Sequence, residues 1–273
     1  MTKLLPIVKW AGGKRWLIRN YPEFFPSDLS RLVEPFVGGA SVFLNLNPKE
    51  ALLSDMNDEL ITTYRAIRDN WKEIEDGLQF HQNLHSNEHY YDVRKENPVD
   101  PISVAIRFLY LNRTCWNGLY RVNKKGIFNV PIGTKTKVLL PTDNFEELSK
   151  RLRRKVTLKA QDFRKTIGSV KVKDFLYIDP PYTVNHYNNG FLKYNESIFS
   201  WEDQLTLRDQ VEYAASTGAK ILISQANHES IRELYQDIGD SYIVTRSSVL
   251  AAKSEHRKKV EELLIVINYS LEN

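Results

Sequence analysis

Phe175-Leu176-Tyr177-Ile178-Asp179-Pro180-Pro181-Tyr182 reads as a buried strand that stops at a carboxylate, two prolines and an aromatic ring. Proline holds φ near about −65° and biases the residue before it toward extended backbone, so Asp179 and the Pro180 carbonyl keep fixed directions while Tyr182 offers a ring face. Two such acceptors suit the two hydrogens of an exocyclic amino group on a planar ligand. The plain alternative is a strand-ending turn, because Pro-Pro after an apolar run is ordinary loop punctuation.

Outward toward the N-terminus, Arg31-Leu32-Val33-Glu34-Pro35-Phe36-Val37-Gly38-Gly39-Ala40-Ser41-Val42-Phe43-Leu44 reads as a short strand, a Gly-Gly turn and the start of a helix. The glycines allow positive φ and close approach of the backbone to a ligand. Their spacing is not G-x-G-x-x-G, which disfavours a pyrophosphate. Glu50-Ala51-Leu52-Leu53-Ser54-Asp55 reads as a second strand, and Asp55 follows Glu34 by 21 residues. An acid at about that interval, closing the strand after a Gly-rich turn, binds ribose hydroxyls in nucleoside-binding α/β folds. The other reading of Asp55 is a loop aspartate ahead of a helix starting near Asn57.

More strands are expected at Val156–Lys159, Ala219–Ser224, Tyr242–Thr245 and Leu263–Ile267, the last two as an antiparallel pair at the sheet edge joined by a polar loop. Ser200 with Asp203 three residues on forms a capping box that opens a helix, and Gly218 is its stop. Residues 57 to about 111 are mostly helical in pattern, and Leu119–Val122 and Ile127–Val130 flank Asn123-Lys124-Lys125-Gly126 as a hairpin. The expected fold is therefore an α/β sheet whose pieces flank a helical insert carrying a basic, aromatic hairpin.

Composition sets limits on function. With 42% apolar and 26% charged residues the 273-residue chain is of ordinary globular make-up. The single cysteine, Cys115, excludes an internal disulfide and a cysteine-based zinc site and fits a reducing compartment. No stretch reaches the ~18 apolar residues of a membrane span, and the first 25 residues lack an uninterrupted apolar region, so a cytoplasmic protein without a signal peptide is expected. A net charge of +4 says little, but Lys150-Arg151, Arg153-Arg154-Lys155 and Lys253 with Arg257-Lys258-Lys259 are local clusters of the kind that bind phosphate backbones or simply form solvated faces.

Taken together, these strings resemble the DNA adenine-N6 methyltransferases of the Dam type, the D12 class in the α group. The resemblance runs through Lys9-Trp10-Ala11-Gly12-Gly13-Lys14, Glu34 to Gly39, Asn112-Arg113, Trp116-Asn117-Gly118-Leu119-Tyr120-Arg121, Phe128-Asn129-Val130-Pro131, Asp179 to Tyr182 and Arg257 to Leu264. It implies a Rossmann-like methyltransferase sheet with an antiparallel edge strand, a catalytic domain over 1–56 and 145–273, and a target-recognition insert over 57–144. It implies S-adenosylmethionine as methyl donor, double-stranded DNA as partner, GATC as target and a monomer in solution, with no metal. The catalytic residues would be Asp179, Pro180 and Tyr182. The cofactor site would take Trp10, Lys14, Glu34, Phe36, Gly38, Gly39, Asp55, Asp162, Phe163 and Asp179. DNA contacts would fall on Lys9, Asn112, Arg113, Trp116, Asn117, Leu119, Arg121, Pro131, Arg257, Lys258 and Lys259. Arg121 can give two hydrogen bonds to guanine, and Leu119 with Pro131 can pack on a thymine methyl. Thr114-Cys115 departs from the family's pattern.

Competing readings are a methyltransferase for cytosine N4, RNA or protein glutamine, and a DNA-binding protein without turnover. Asp rather than Ser or Asn at 179 argues against the first group, and the intact Asp179–Tyr182 string argues against the second. Two decoys carry little. His81, His85 and His89 are spaced as ligands on one helical face, but without a His-Glu-x-x-His string they read as a solvent-facing polar helix. Cys115, Ser224 and Ser254 lack the base and orienting acid of a nucleophile.

Overall fold

The computed structural model describes residues 4–118, 120–123, 126–184, 199–247 and 259–271. Its strands are β1 (Arg31–Glu34), β2 (Glu50–Asp55), β3 (Lys155–Ala160), β4 (Asp174–Ile178), β5 (Lys220–Ala226), β6 (Asp240–Ser247) and β7 (Lys259–Ile267). They make one seven-stranded sheet in the order β3-β2-β1-β4-β5-β7-β6. β2 pairs with β3, β1 with β4, and β4 with β5 in parallel, whereas β7 runs antiparallel to both β5 and β6. The expected Rossmann-like sheet with an antiparallel pair at its edge is the one found. The loop expected between β6 and β7 lies outside the described residues.

The helices are α1 (Arg15–Asn20), α2 (Ser41–Leu46), α3 (Asp58–Leu84), α4 (Asn87–Lys95), α5 (Pro101–Thr114), α6 (Phe145–Leu152), α7 (Phe163–Ile167), α8 (Trp201–Ser216) and α9 (Glu229–Tyr235). Two compact units divide the chain: the segment ending at Arg15 with Val37–Gln161, and Trp16–Phe36 with the chain from Asp162 on.

In the first unit, α3 buries Leu60, Tyr64, Ile67, Ile74 and Leu78. That 3.6-residue stripe packs on α5, whose Phe108, Leu109 and Tyr110 are buried in turn. Asn57 starts α3 by accepting from Leu60 N at 2.9 Å. The stripe keeps its phase through a break in helical backbone at Asn70. After α5 the described residues of the hairpin pair through a bridge of Val122 with Phe128 and a turn in which Asn123 N donates to Ile127 O at 2.9 Å.

In the second unit, every residue of β4 is buried, as a central parallel strand covered on both faces must be. The Ser200–Asp203 capping box opens α8 as expected, and Gly218 follows its end with φ +84°. Leu207, Val211 and Ala214 form its buried stripe.

The three histidines require a correction. α3 ends at Leu84 and Ser86 caps α4, so the imidazoles do not share one helical face. They gather on buried Tyr110 instead: the His81 ring stacks on it at 4.8 Å, His85 Nδ1 lies 2.9 Å from its hydroxyl, and His81 Nδ1 lies 2.8 Å from His89 Nε2. Among the described residues no group of three His, Cys, Asp or Glu could hold a metal ion, and no helix is long and apolar enough to cross a membrane.

Candidate active site

β4 delivers Asp179 half-buried at its end, with Pro180 buried behind it and Tyr182 half-buried beyond. The Tyr182 hydroxyl donates to Glu262 Oε2 at 3.0 Å and lies 3.1 Å from Ser224 Oγ. The next residue is braced as well, since Thr183 Oγ1 donates to Phe199 O at 2.6 Å. These bonds restrain the Tyr182 ring and the backbone just beyond the Asp179–Pro180 step.

Glu34, at the end of β1, is buried. Phe36 stacks on Phe163 at 5.4 Å and meets Phe199 edge-on at 5.7 Å, an aromatic cluster at the start of α7. Asp162 caps α7, accepting from Arg164 N at 2.7 Å, and pairs with the Arg164 guanidinium at 2.6 Å. Arg164 also pairs with Asp203 and lies over the Phe163 ring at 4.7 Å. The first duty of Asp162 is therefore local, as a helix cap.

In the first unit the Gly-rich turn is shaped by a tryptophan. A β-carbon on Gly38, whose φ is +44°, would stand 2.5 Å from Trp10 Cδ1. Gly39 has no positive φ, and its place is close approach, with Trp10 Cβ and Val8 O at 3.4 and 3.5 Å from a would-be β-carbon. Asp55 closes the turn: its carboxylate accepts from Gly38 N at 3.1 Å and from Asn57 N at 3.0 Å. Burial raises the Asp55 carboxyl above the usual carboxylate value, opposed by backbone donors from Asn57, Gly38 and Met56. Tyr64, from α3, donates to Gly38 O at 2.8 Å. Lys14 is buried, and its ammonium donates to Gly12 O at 2.8 Å.

The expected DNA contacts divide into two kinds. Trp116, Asn117, Arg121 and Pro131 are exposed on the segment after α5. Trp116 N donates to Pro131 O at 2.9 Å, which draws those two residues together. Asn112 and Arg113 are fully buried, and there the expectation of direct contact fails. Both polar ends of the Asn112 amide bind the Lys9 backbone at 2.8 Å. Arg113 is bidentate to Asp143 at 2.6 and 2.9 Å and also donates to Ile7 O and Val138 O. These two side chains hold the N-terminal segment and cannot reach a phosphate. Lys9 Nζ donates to Arg113 O at 3.0 Å, and burial, with Lys135 and Arg113 nearby, lowers its pKa. Leu119, Arg257 and Lys258 lie outside the described residues, and of Lys259 only the backbone, opening β7, is described. Burial pushes the Cys115 thiol up to about 11, which suits a packed side chain and not a nucleophile.

The family model described as D12 class N6 adenine-specific DNA methyltransferase matches residues 10–250. The chain belongs to that family. Type II methyltransferase M1.LlaDCHI of Lactococcus lactis subsp. cremoris is 36% identical, covering 97% of this chain and 96% of its own. Type II methyltransferase M.MjaIII of Methanocaldococcus jannaschii is 30% identical over 97% of this chain and 99% of its own. The DNA adenine methylase of Vibrio cholerae is 33% identical over 97% and 96%. The protein is thus an adenine-specific DNA methyltransferase, and its substrate class is DNA.

Several groups around the methyltransferase's motifs escaped sequence reasoning. Glu262 and Ser224 anchor Tyr182 from 80 and 42 residues away, a separation that no local pattern exposes. Glu59 accepts from the Tyr120 hydroxyl and pairs with Arg107 at 3.5 Å, tying the hairpin to α3 and α5. The aromatic run around Tyr120 was the available signal, since its ring packs 4.3 Å from Phe108 and 4.8 Å from Phe128.

Proposed function

We propose that this D12 class enzyme transfers a methyl group from S-adenosylmethionine to N6 of an adenine flipped out of duplex DNA, within GATC. The carrying observation is the end of β4, where a half-buried Asp179, Pro180 and a Tyr182 anchored through its hydroxyl follow one another, the carboxylate, carbonyl and ring that this chemistry requires. The adenine N6 lone pair is delocalised into the ring. Hydrogen bonds from its two N–H groups to Asp179 and the Pro180 carbonyl favour a pyramidal nitrogen with its lone pair free to attack, and this help grows as charge develops. Extrusion of the base costs a few kcal/mol, which stacking on Tyr182, worth roughly 1–3 kcal/mol, helps offset.

The groups expected to hold S-adenosylmethionine suit it chemically. Asp55 is a fixed carboxylate acceptor for ribose hydroxyls, Gly38 and Gly39 bring backbone close, and the Phe36–Phe163 stack offers aromatic surface for an adenine. When bound, S-adenosylmethionine supplies an electrophilic sulfonium methyl. Residues 57–144 would act as the target-recognition insert, with Trp116 entering the vacated base stack and Arg121 reading guanine. The GATC assignment rests on the likeness of the Trp116–Arg121 string to Dam-type enzymes.

Incubating unmethylated plasmid with purified protein and labelled S-adenosylmethionine, then mapping modified bases, tests the reading. N6-methyladenine confined to GATC is the expected result. Methylation of cytosine, or of adenine at an unrelated sequence, would overturn the corresponding part.

A further inference from the structure

We propose that Glu262 is a positioning residue that fixes the ring of Tyr182 for stacking on the target base, with Ser224 as its second anchor. The inference rests on the proposed role of Tyr182 and adds the part of the molecule that makes the ring rigid. Glu262 is 1% exposed, a position where a carboxylate is found only with strong partners. Its Oε1 faces Arg246 Nε at 3.1 Å. Its Oε2 accepts from the Tyr182 hydroxyl at 3.0 Å and from Ser224 Oγ at 3.3 Å.

A carboxylate only accepts, so the phenol proton of Tyr182 is committed to Glu262 and the direction of its C–O bond is set. Ser224 Oγ, 3.1 Å from the phenol oxygen, limits sideways swing. Both anchors stand on ladder residues: Glu262 pairs with Ala226 of β5 and Val244 of β6, and Ser224 pairs with Leu264 of β7. Side chains on strand interiors hold a ring more tightly than a loop can. An ion pair with the half-buried Arg246 alone would need only one carboxylate oxygen. The second oxygen is turned to the tyrosine of the amine-binding string. A ring already fixed loses less freedom on stacking, so the benefit should appear in turnover and in the state of the extruded base.

The test measures kcat, affinity for S-adenosylmethionine and emission from a duplex with 2-aminopurine at the mapped target, for Tyr182→Phe, Glu262→Ala, the double variant, Glu262→Gln and Tyr182→Ala. Loss of a hydrogen bond to a charged group corresponds to about tenfold, so Tyr182→Phe and Glu262→Ala should each lower kcat by about that factor with cofactor affinity unchanged. Both should also raise 2-aminopurine emission, as a looser ring quenches the base less. The double variant should be no worse than the poorer single, and Glu262→Gln, which keeps an acceptor, should recover most of the loss. Multiplicative losses in the double variant, or wild-type kcat in Glu262→Ala, overturn the proposal. If Glu262→Ala does not fold, Tyr182→Phe decides alone, because wild-type kcat there means that the hydroxyl anchor is idle. Full activity in Tyr182→Ala would instead sink the stacking role itself, whereas an inactive Tyr182→Ala beside a fully active Tyr182→Phe removes only the anchor.

Discussion

The indole of Trp10 fills the space that a β-carbon on Gly38 would occupy, with Cδ1 2.5 Å from that point. Gly38 therefore answers two demands, a φ of +44° and a ring against its α-carbon. Gly126 answers one, with φ +75° and nothing within 4 Å. Gly126→Ala should cost only the left-handed backbone, about 1–2 kcal/mol. Gly38→Ala should add about 1–3 kcal/mol of overpacking to that and weaken S-adenosylmethionine binding. Thermal unfolding of both variants, with Trp10→Ala/Gly38→Ala as a third, checks this: the double variant should regain the packing part of the Gly38→Ala loss. Equal unfolding midpoints for the two glycine variants would rule out the steric account.

The sheet was legible because β4 and β7 carry unbroken apolar runs and the Asp179–Tyr182 string marks where one of them ends. The helix from Ser200 was legible through its capping box. What stayed hidden was long-range pairing. The family resemblance puts Arg113 among the DNA contacts, yet its five donors turn inward to Asp143, Ile7 and Val138. The histidine spacing suggested one face because the helix break at His85 leaves no proline or glycine in the sequence.

Asp55 ties the turn at Gly38 to the start of α3 and is proposed to accept from the cofactor's ribose. Asp55→Ala should lose both: S-adenosylmethionine affinity by calorimetry and part of the thermal stability. Asp55→Asn keeps one acceptor for the backbone donors and should lose affinity with a smaller drop in stability. Because burial raises the Asp55 pKa, the wild-type carboxyl takes up a proton at a higher pH than the ordinary value of 3.8. Cofactor affinity should therefore begin to fall above that pH on acidification, and Asp55→Asn should lack this limb. Unchanged affinity in Asp55→Ala would make it a plain loop aspartate.

Burial, with His89 close by, lowers the pKa of His81 from 6.5 to about 4. The folded state thus binds the His81 proton more weakly than the unfolded chain does, and stability present above pH 6.5 drains away as pH falls toward 4. The groups facing His81 are His89 and Tyr110, neither of which supplies a negative charge. His81→Gln should flatten the unfolding midpoint between pH 4 and 6.5 relative to wild type. A wild-type midpoint that does not fall over that window contradicts a neutral, half-buried His81.

Arg113 and Arg121 sit eight residues apart and should fail in opposite ways. Arg113 is fully buried in a bidentate pair with Asp143, so Arg113→Ala leaves an uncompensated carboxylate and should cost about 3–5 kcal/mol of stability. Whatever folded enzyme remains should keep its sequence preference. Arg121 is exposed on the hairpin, and Arg121→Ala should leave the unfolding midpoint within error. If Arg121 gives two hydrogen bonds to a guanine, the variant should lose about 1–3 kcal/mol on the cognate site and relax preference at one base pair. Its salt dependence should stay nearly constant, because a base contact releases few counterions whereas each phosphate contact releases its own. Methylation rates on cognate and singly substituted duplexes at several salt concentrations separate the two cases. An equal drop on all duplexes with a flatter salt slope would assign Arg121 to the phosphate backbone and place base reading elsewhere on the insert.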